Sequence, residues 1–523
     1  MKTINRIKSI LAASILAVSA TSCADWLEVK MEDKIMENTL FANYRGYMTA
    51  LNGIYLKMND VYGRNLTTGP LDVMAQYYNV TENNNHSLRL YAAYNYNDAS
   101  LETFRNTVWA NQYSLLANLN AVIEHTVTVG PLTDAQWGLI RGEALGLRAF
   151  LHFDLLRLFG PIYTENPTAQ SIPYQSSSSR DIQPMLPANE IMQKIMADLD
   201  EAATLLAQYD PIITEGVKNE AAEDNGASAY DLSFRQLRMN YYAVRAIQAR
   251  AYLWTGDKES AYRIAKKEII EKITTDKLQV FPWATKEQVE ATGKPDCLFS
   301  SEVMFSLYNT KRTEINSAYF SSALRTLSSR LTFIGDNITG QSSKVGTFYD
   351  DPNDLRVKMW RVTEPLQSEK DEAEDKGESA PNTLVLTKFE AFSNDATTDG
   401  TETYRYMMPL IRLSEIYLIA AECTSDRHEA FDLINTIRHN RLCEGLEESV
   451  ADLGRSITYE MAREVIGEGQ LFYFYKRRGE ENMISGTSAT GSFSMVKSNY
   501  VLPIPQAELD KRGTGTSGTE TNK

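Results

Sequence analysis

Residues Arg141 to Pro161 read RGEALGLRAFLHFDLLRLFGP. Thr133 or Asp134 upstream supplies an N-cap and Gly160-Pro161 supplies a stop, so the pattern predicts one helix running to Phe159. Arg148 and Asp154 stand six residues apart on it and therefore face different neighbours. Charges placed in this way tie helices together and do not form a catalytic pair. Farther along, Arg412 and Glu415 stand three apart, close enough to pair on one helix face.

Helical stripes recur outward from this segment. Tyr44, Tyr47, Met48, Leu51, Tyr55 and Met58 align over Glu37 to Met58, with Thr39 as N-cap. Val108, Leu115, Leu116, Leu119 and Val122 align over Leu101 to Val127, and Met192, Ile195, Leu199 and Leu206 over Asn189 to Gln208. Two later hairpins share one plan. In the first, Gly256 ends a helix and Asp257 caps the next; in the second, Asp426 caps and Glu429 completes a capping-box-like arrangement. Measured from the capping Asp, both carry aliphatics thirteen and ten residues earlier (Val244 and Ile247; Leu413 and Ile416). Both also carry Ala six residues earlier (Ala251; Ala420) and four later (Ala261; Ala430). Alanine at a fixed crossing lets two helices approach closely, as in a tetratricopeptide hairpin. The two units lie far from the ~34-residue period of a tandem array, so insertions separate them. The expected fold is mostly α: a tetratricopeptide-like helical-hairpin scaffold of about eight helices, with irregular, partly β insertions carrying the binding surface.

The insertions have their own signature. Asp60 to Ala99 is rich in Asn, Tyr, Gly and Thr and reads as an ordered loop region. Asp210 to Ser233 reads as a polar linker. Thr274 to Tyr404 is not helical in pattern; Phe299 to Tyr308 (FSSEVMFSLY) and Leu384 to Phe389 (LVLTKF) are strand candidates, and Gln367 to Glu378 is an exposed loop. The tail after Leu509 is expected to be disordered.

The N-terminal stretch reads as an export signal. Lys2, Arg6 and Lys8 precede an apolar run from Ile10 to Ala20, too short to span a bilayer, and then Ala20-Thr21-Ser22-Cys23. Small residues just before a cysteine suit a lipoprotein signal peptidase, which makes Cys23 the lipid attachment site. No downstream run approaches the length of a transmembrane helix, so the tether is the lipid. A net charge of −15 excludes nucleic acid as a partner. Cys297, Cys423 and Cys443 form neither a disulfide framework nor a zinc motif; Cys423 and Cys443 could pair, and buried free thiols are the alternative.

The sequence carries no recognisable catalytic constellation. His428-Glu429 begins an H-E-x-x-H pattern but Asp432 stands in the last place, and no G-x-S-x-G elbow, phosphate loop or dinucleotide fingerprint occurs. No catalytic residue, metal or cofactor is expected. A carboxylate pair of glycosidase type needs only spatial proximity, so a surface hydrolase stays open as the alternative.

Five segments together resemble the SusD/RagB family of surface nutrient-binding lipoproteins. They are Arg141 to Pro161; Met408 to Glu422 (MPLIRLSEIYLIAAE); Leu433 to Arg438 (LINTIR); Arg463 to Arg477, with Glu464, Glu468, Gly469 and Gln470 in place; and Leu502 to Glu508 (LPIPQAE). Where the family often has an Asp-Leu pair, this chain has Tyr473-Phe474. The resemblance implies residues 1–22 as lipoprotein signal peptide, 23–509 as a SusD-like helical domain with insertions at about 60–100 and 274–404, and 510–523 as tail. It also implies a non-enzymatic binder at the outer membrane, lipid-anchored and facing outward. Such a protein captures a glycan and delivers it to a TonB-dependent, SusC-like transporter. A peptide ligand and a purely protein-binding scaffold are the other readings.

The resemblance places ligand contacts in the insertions. A sugar needs an aromatic platform and planar polar groups. Asp72, Gln76, Tyr77, Tyr78, Asn79 and Asn83 supply both in one stretch, and Tyr308, Tyr319, Phe320 and Trp360 supply a second wall. The chain holds 28 Tyr against 18 Phe, and most of these tyrosines are expected to fill space between helices. Trp109, Trp137 and Trp254 are expected in the core.

Overall fold

The computed structural model describes residues 37–513, apart from 82–84, 220–231, 276, 322–323, 325–328, 336–337, 339–342, 381 and 393–402. The signal segment, Cys23, Asn83 and residues 514–523 lie outside the described residues. Helices α1 (Tyr44–Tyr62), α2 (Ala99–His125), α3 (Asp134–Phe159), α4 (Ala188–Tyr209) and α5 (Tyr241–Thr255) pack in chain order, each on the next. The second half adds α6 (Lys258–Tyr262), α7 (Leu413–Cys423), α8 (Arg427–Asn440), α9 (Leu453–Glu464) and α10 (Gln470–Arg478). Helix α6 continues through a π-helical stretch, Arg263–Ile270. Helix α7 is the hub of this half and touches α5, α6, α8 and α9.

Helix α3 shows why the quoted stretch decides the fold. Thr133 and Gln136 form a reciprocal capping box at its start, and Gly160 donates to the Leu156 carbonyl at its end. From Gly138 to Phe159 every residue except Arg141 is buried, so neighbours surround the helix. Gly138 and Gly142 set the approach of α4: a Cβ would lie 2.0 Å from the Tyr209 ring at the first and 2.8 Å from Leu206 at the second. Arg148 and Asp154 do face different neighbours. Arg148 donates to Asp198 of α4, while Asp154 accepts from Tyr62 of α1 and from Arg157.

Both hairpins follow the shared plan. Gly256 ends α5 in the left-handed region at φ 87°, and Asp257 caps α6. Val244, Ile247, Ala251 and Ala261 are buried, as are Leu413, Ile416, Ala420 and Ala430. Three local expectations are corrected. Asn43, not Thr39, caps α1, because its side chain accepts from Gly46 N, and Thr39 sits inside a separate helical turn at 37–40. Asp426 caps α8, but Glu429 turns away and accepts from Tyr262 and Thr424. Arg412 does not pair with Glu415. It is extended just before α7, outside helical geometry, and reaches Glu464 and Glu468, while Glu415 pairs with Arg250.

The insertions carry short antiparallel sheets. Strand β1 (Gln170–Pro173) pairs with β2 (Met185–Pro187), and β3 (Val303–Tyr308) with β6 (Met407–Arg412), from Val303 opposite Arg412 to Tyr308 opposite Met407. Strand β4 (Trp360–Thr363) pairs with β5 (Thr383–Leu386), and β7 (Asn482–Ile484) with β8 (Ser492–Ser494). Both strand candidates are thus strands. The run after Gln367 is not a loop but a helix, Gln367–Asp375, started by Glu369 accepting from Leu366 N. Cys423 and Cys443 do not pair; all three described cysteines are free thiols.

A buried charge network welds the insertions to the scaffold. Arg356 binds Asp354, Glu460 and Glu464; Arg441 binds Glu302 and Glu464; Arg412 and Lys388 meet at Glu468. Burial alone would raise the Glu464 carboxyl, but Arg441, Arg412 and Arg356 hold it well below the usual carboxylate range. Glu460 is likewise held at about 2, against its burial, by Arg356, Arg463 and Arg438. The Arg463 to Gln470 motif therefore builds a joint between the 274–404 insertion and the helices of the second half.

Candidate functional site

The tyrosine-rich stretch lies inside the molecule. Asp72 is fully buried and accepts from the backbone N–H groups of Gly467 (2.7 Å) and Gly469 (3.1 Å). Burial pushes its carboxyl well above the usual range. Gln76 donates to the Ala92 carbonyl and to Tyr94, Tyr77 donates to the Ala462 carbonyl at 2.6 Å, and Asn79 N donates to the Thr332 carbonyl. The Tyr78 ring packs against Phe320 and Phe333, and Phe333 lies 4.0 Å from Trp360, whose indole N–H donates to Tyr349. Tyr319 is buried beneath Arg64. The two expected walls therefore do meet, through Tyr78 and Phe320, but as core. Tyr77, Tyr78, Tyr319, Phe320 and Trp360 are buried in this conformation, and a ring with no exposed face does not stack on a sugar.

Tyr308 is the exception. Val303 to Leu307 are all buried, so both faces of β3 are covered, and Tyr308 emerges at the strand end 40% exposed. Its ring lies 5.1 Å from that of Tyr406, and the Arg405 guanidinium sits 5.3 Å from the Tyr406 centroid. Bonds to backbone carbonyls fix this edge: the Asn59 side-chain amide donates to the Tyr308 carbonyl (3.0 Å) and Asn309 N to the Tyr406 carbonyl (2.7 Å). Tyr404 continues it, with its ring 5.4 Å from Phe392 and its hydroxyl donating to the Lys294 carbonyl. Beneath lies Arg312, which donates to the Tyr404 carbonyl and is pushed down to about 10 by burial.

Two tilted ring pairs, Tyr308–Tyr406 and Tyr404–Phe392, lie partly exposed along this edge, and Arg405 beside Tyr406 adds hydrogen-bond donors, the composition that a sugar face requires. Sequence reasoning missed Tyr404, Tyr406 and Phe392. The readable signal was the alternation Tyr404-Arg405-Tyr406 directly before the β6 motif. A cavity of about 50 Å³ among Phe153, Trp254, Arg250 and Glu415 is far too small for a sugar ring. Among the described residues no group of three His, Cys, Asp or Glu is placed to hold a metal, and no helix is long and apolar enough to cross a membrane.

A family model described as "Starch-binding associating with outer membrane" matches residues 25–223, and the SusD family model matches residues 356–516. A SusD superfamily protein from Bacteroides thetaiotaomicron VPI-5482 shares 20% identity at a TM-score of 0.67, covering 90% of this chain and 98% of its own. A SusD-like carbohydrate binding protein from Bacteroides vulgatus ATCC 8482 shares 17% at 0.59, covering 85% of each. A laminarin binding SusD-like protein shares 16% at 0.56, covering 89% and 97%. These structures share the fold. No curated protein matches the sequence. Matches at both ends of the chain and a shared architecture across its length agree: the chain belongs to the SusD/RagB family.

Proposed function

We propose that this protein is a non-enzymatic, lipid-anchored glycan-binding protein of the outer membrane. It captures an oligosaccharide or polysaccharide at the cell surface and passes it to a TonB-dependent, SusC-like transporter. One observation carries the reading: a member of a family described as starch-binding and outer-membrane-associated exposes paired tyrosine rings, Tyr308 and Tyr406, beside Arg405 at one sheet edge. Aromatic rings stack on the apolar face of a pyranose, and the guanidinium donates to its hydroxyls. Cys23 supplies the tether, and the transporter partner follows from the family resemblance.

Calorimetry with laminari- and malto-oligosaccharides tests the binding. The expected outcome is saturable binding without cleavage products, weakened roughly tenfold or more in Tyr308→Ala/Tyr406→Ala, as loss of a stacking platform implies. Absence of binding to any glycan would sink the reading, and product release would replace it with a surface hydrolase. Co-purification from membranes of an outer-membrane transporter tests the partner, and protease shaving of intact cells tests the outward orientation.

A further inference from the structure

A second opening, built from none of the residues of the Tyr308 edge, lies between the start of α9 and the β7–β8 hairpin. It is a cleft of about 570 Å³, lined by Asp452, Arg455 and Tyr459 of α9, Arg478 at the end of α10, and Asn482 and Ser492 of the hairpin. That volume falls among small-molecule sites, which span about 300–1,000 Å³.

The walls are ordered by local rules. Asp452 caps α9 by accepting from Arg455 N at 2.6 Å, which fixes its carboxylate at the rim. Along β7, Asn482 is exposed, Met483 is buried and Ile484 is half-buried, and all three border the cleft. Tyr459 is partly exposed, and the Arg455 guanidinium lies 5.0 Å from its ring centroid. Arg478 lies 5.0 Å from the Phe474 ring. A guanidinium held on a ring loses little further freedom when it binds a ligand.

The charges are the informative part. The buried arginines Arg356, Arg412, Arg441 and Arg463 are all paired with carboxylates. Arg455 and Arg478 share one cleft with Asp452 and Glu480, yet among the described residues no ion pair joins either arginine to an acid. Two guanidinium forks, two carboxylates, an amide and a hydroxyl thus face one space whose formal charges cancel. An anion there would meet Asp452 and Glu480, and a cation would meet the arginines. A polyol suits all of them, because each hydroxyl both donates and accepts: to a carboxylate on one side, from a guanidinium or amide on the other.

We infer that this cleft is a second carbohydrate site, separate from the Tyr308 edge, that takes a short neutral oligosaccharide. The inference extends the glycan-binding reading, and one experiment separates their failures. The full chain is titrated calorimetrically with short laminari-, malto- and cello-oligosaccharides and with a galacturonate trimer. Three proteins are compared: the parent, Arg455→Gln/Arg478→Gln, and Tyr308→Ala/Tyr406→Ala. Both arginines sit at the surface, so unfolding midpoints should match and folding does not confound the result.

The expected result is two sites per chain for a neutral oligosaccharide. The arginine pair should be needed for one site, with affinity falling roughly tenfold to a hundredfold on loss of charge-assisted hydrogen bonds. The other site should survive in that variant and fail in the tyrosine variant. A single site indifferent to Arg455→Gln/Arg478→Gln overturns the cleft and leaves the Tyr308 reading standing. Tighter binding of the galacturonate trimer, lost in the arginine variant, overturns the neutral assignment. No binding of any probe overturns both.

Discussion

Helix α3 and the segment around Tyr77 are buried equally deeply but are held in different ways. Helix α3 packs on α2 and α4, its neighbours in the chain, and its capping groups lie within one turn. The Tyr77 segment is held by partners from the far end of the sequence. Tyr77 donates to the Ala462 carbonyl, Lys344 donates to the carbonyls of Tyr77 (2.7 Å) and Ser485 (2.6 Å), and Asp72 grips Gly467 and Gly469. A scaffold helix is stabilised by repetition of a local pattern. An insertion is stabilised by a few long-range polar closures, each of which matters more. That contrast predicts where the molecule breaks.

The largest effect belongs at the weld. Glu464 accepts from Arg356, Arg412 and Arg441, so Glu464→Gln leaves three buried guanidiniums short of one negative charge. Breaking a buried ion pair from one side costs about 3–5 kcal/mol, and chemical denaturation should show a loss of that size. A loss below about 1 kcal/mol, typical of surface pairs, would mean that packing and not the network joins insertion to scaffold.

Two glycines measure the same contrast at the backbone. Gly469 has φ 70° and a Cβ there would lie 2.0 Å from the Leu66 carbonyl oxygen, a backbone atom from the insertion that cannot yield. Gly142 has ordinary helical geometry, and its Cβ would meet the Leu206 side chain at 2.8 Å. Gly469→Ala should therefore cost about 3 kcal/mol, combining strain and overpacking, and Gly142→Ala nearer about 1 kcal/mol. Equal shifts in unfolding midpoint would erase the distinction between rigid seam and adjustable helix contact.

Acid should separate the two regions by pH window. His152 of α3 is buried against Tyr174, accepts from Gln175 N at Nε2 and donates from Nδ1 to the Arg148 carbonyl. Burial, with the Arg148 charge, pushes its ring down to about 3. The unfolded chain then takes up a proton near pH 6.5 that the folded chain refuses. Stability is lost as pH falls below about 6.5, by up to about 1.4 kcal/mol per pH unit. Glu460 and Glu464 have depressed values, so their contribution persists down to about pH 4.5 and is lost only below it. Denaturation at pH 6.5 and 5 should show the upper slope in the parent chain and a shallower slope in His152→Gln. Identical slopes would remove His152 as the cause.

The same contrast explains what was legible beforehand. Alanine spacing around Asp257 and Asp426 encodes a hairpin because the contacts it serves are near in sequence. The burial of Tyr77, Tyr78 and Trp360 depends on Phe333, Lys344 and Ala462, whose positions no local pattern records. A tyrosine-rich, asparagine-rich stretch has the composition of a binding loop and of a polar-lined core alike, and only the fold decides between them. Arg412 misled for a related reason: Glu415 is near in sequence, but the residue turns out of helical geometry toward Glu464. The platform at Tyr406 was missed because its partner, Tyr308, becomes a neighbour only when β3 pairs with β6.

The smallest expected change in stability completes the comparison. Tyr308 is the one described member of the two expected walls with an exposed ring, and it packs against Tyr406 at the rim and not within the core. Truncating a surface side chain away from caps and buried networks usually shifts stability by no more than about 0.5 kcal/mol. Tyr308→Ala should therefore leave the unfolding midpoint nearly unchanged while weakening glycan binding. A variant that unfolded readily would show Tyr308 to be one more support of the β3–β6 pair, in which case the platform would have to rest on Tyr404 and Tyr406. A variant that is stable and binds as before would place the ligand away from this edge altogether. Stability without binding is the outcome that a recognition surface requires, because a residue selected for contact with a ligand need contribute little to the fold that presents it.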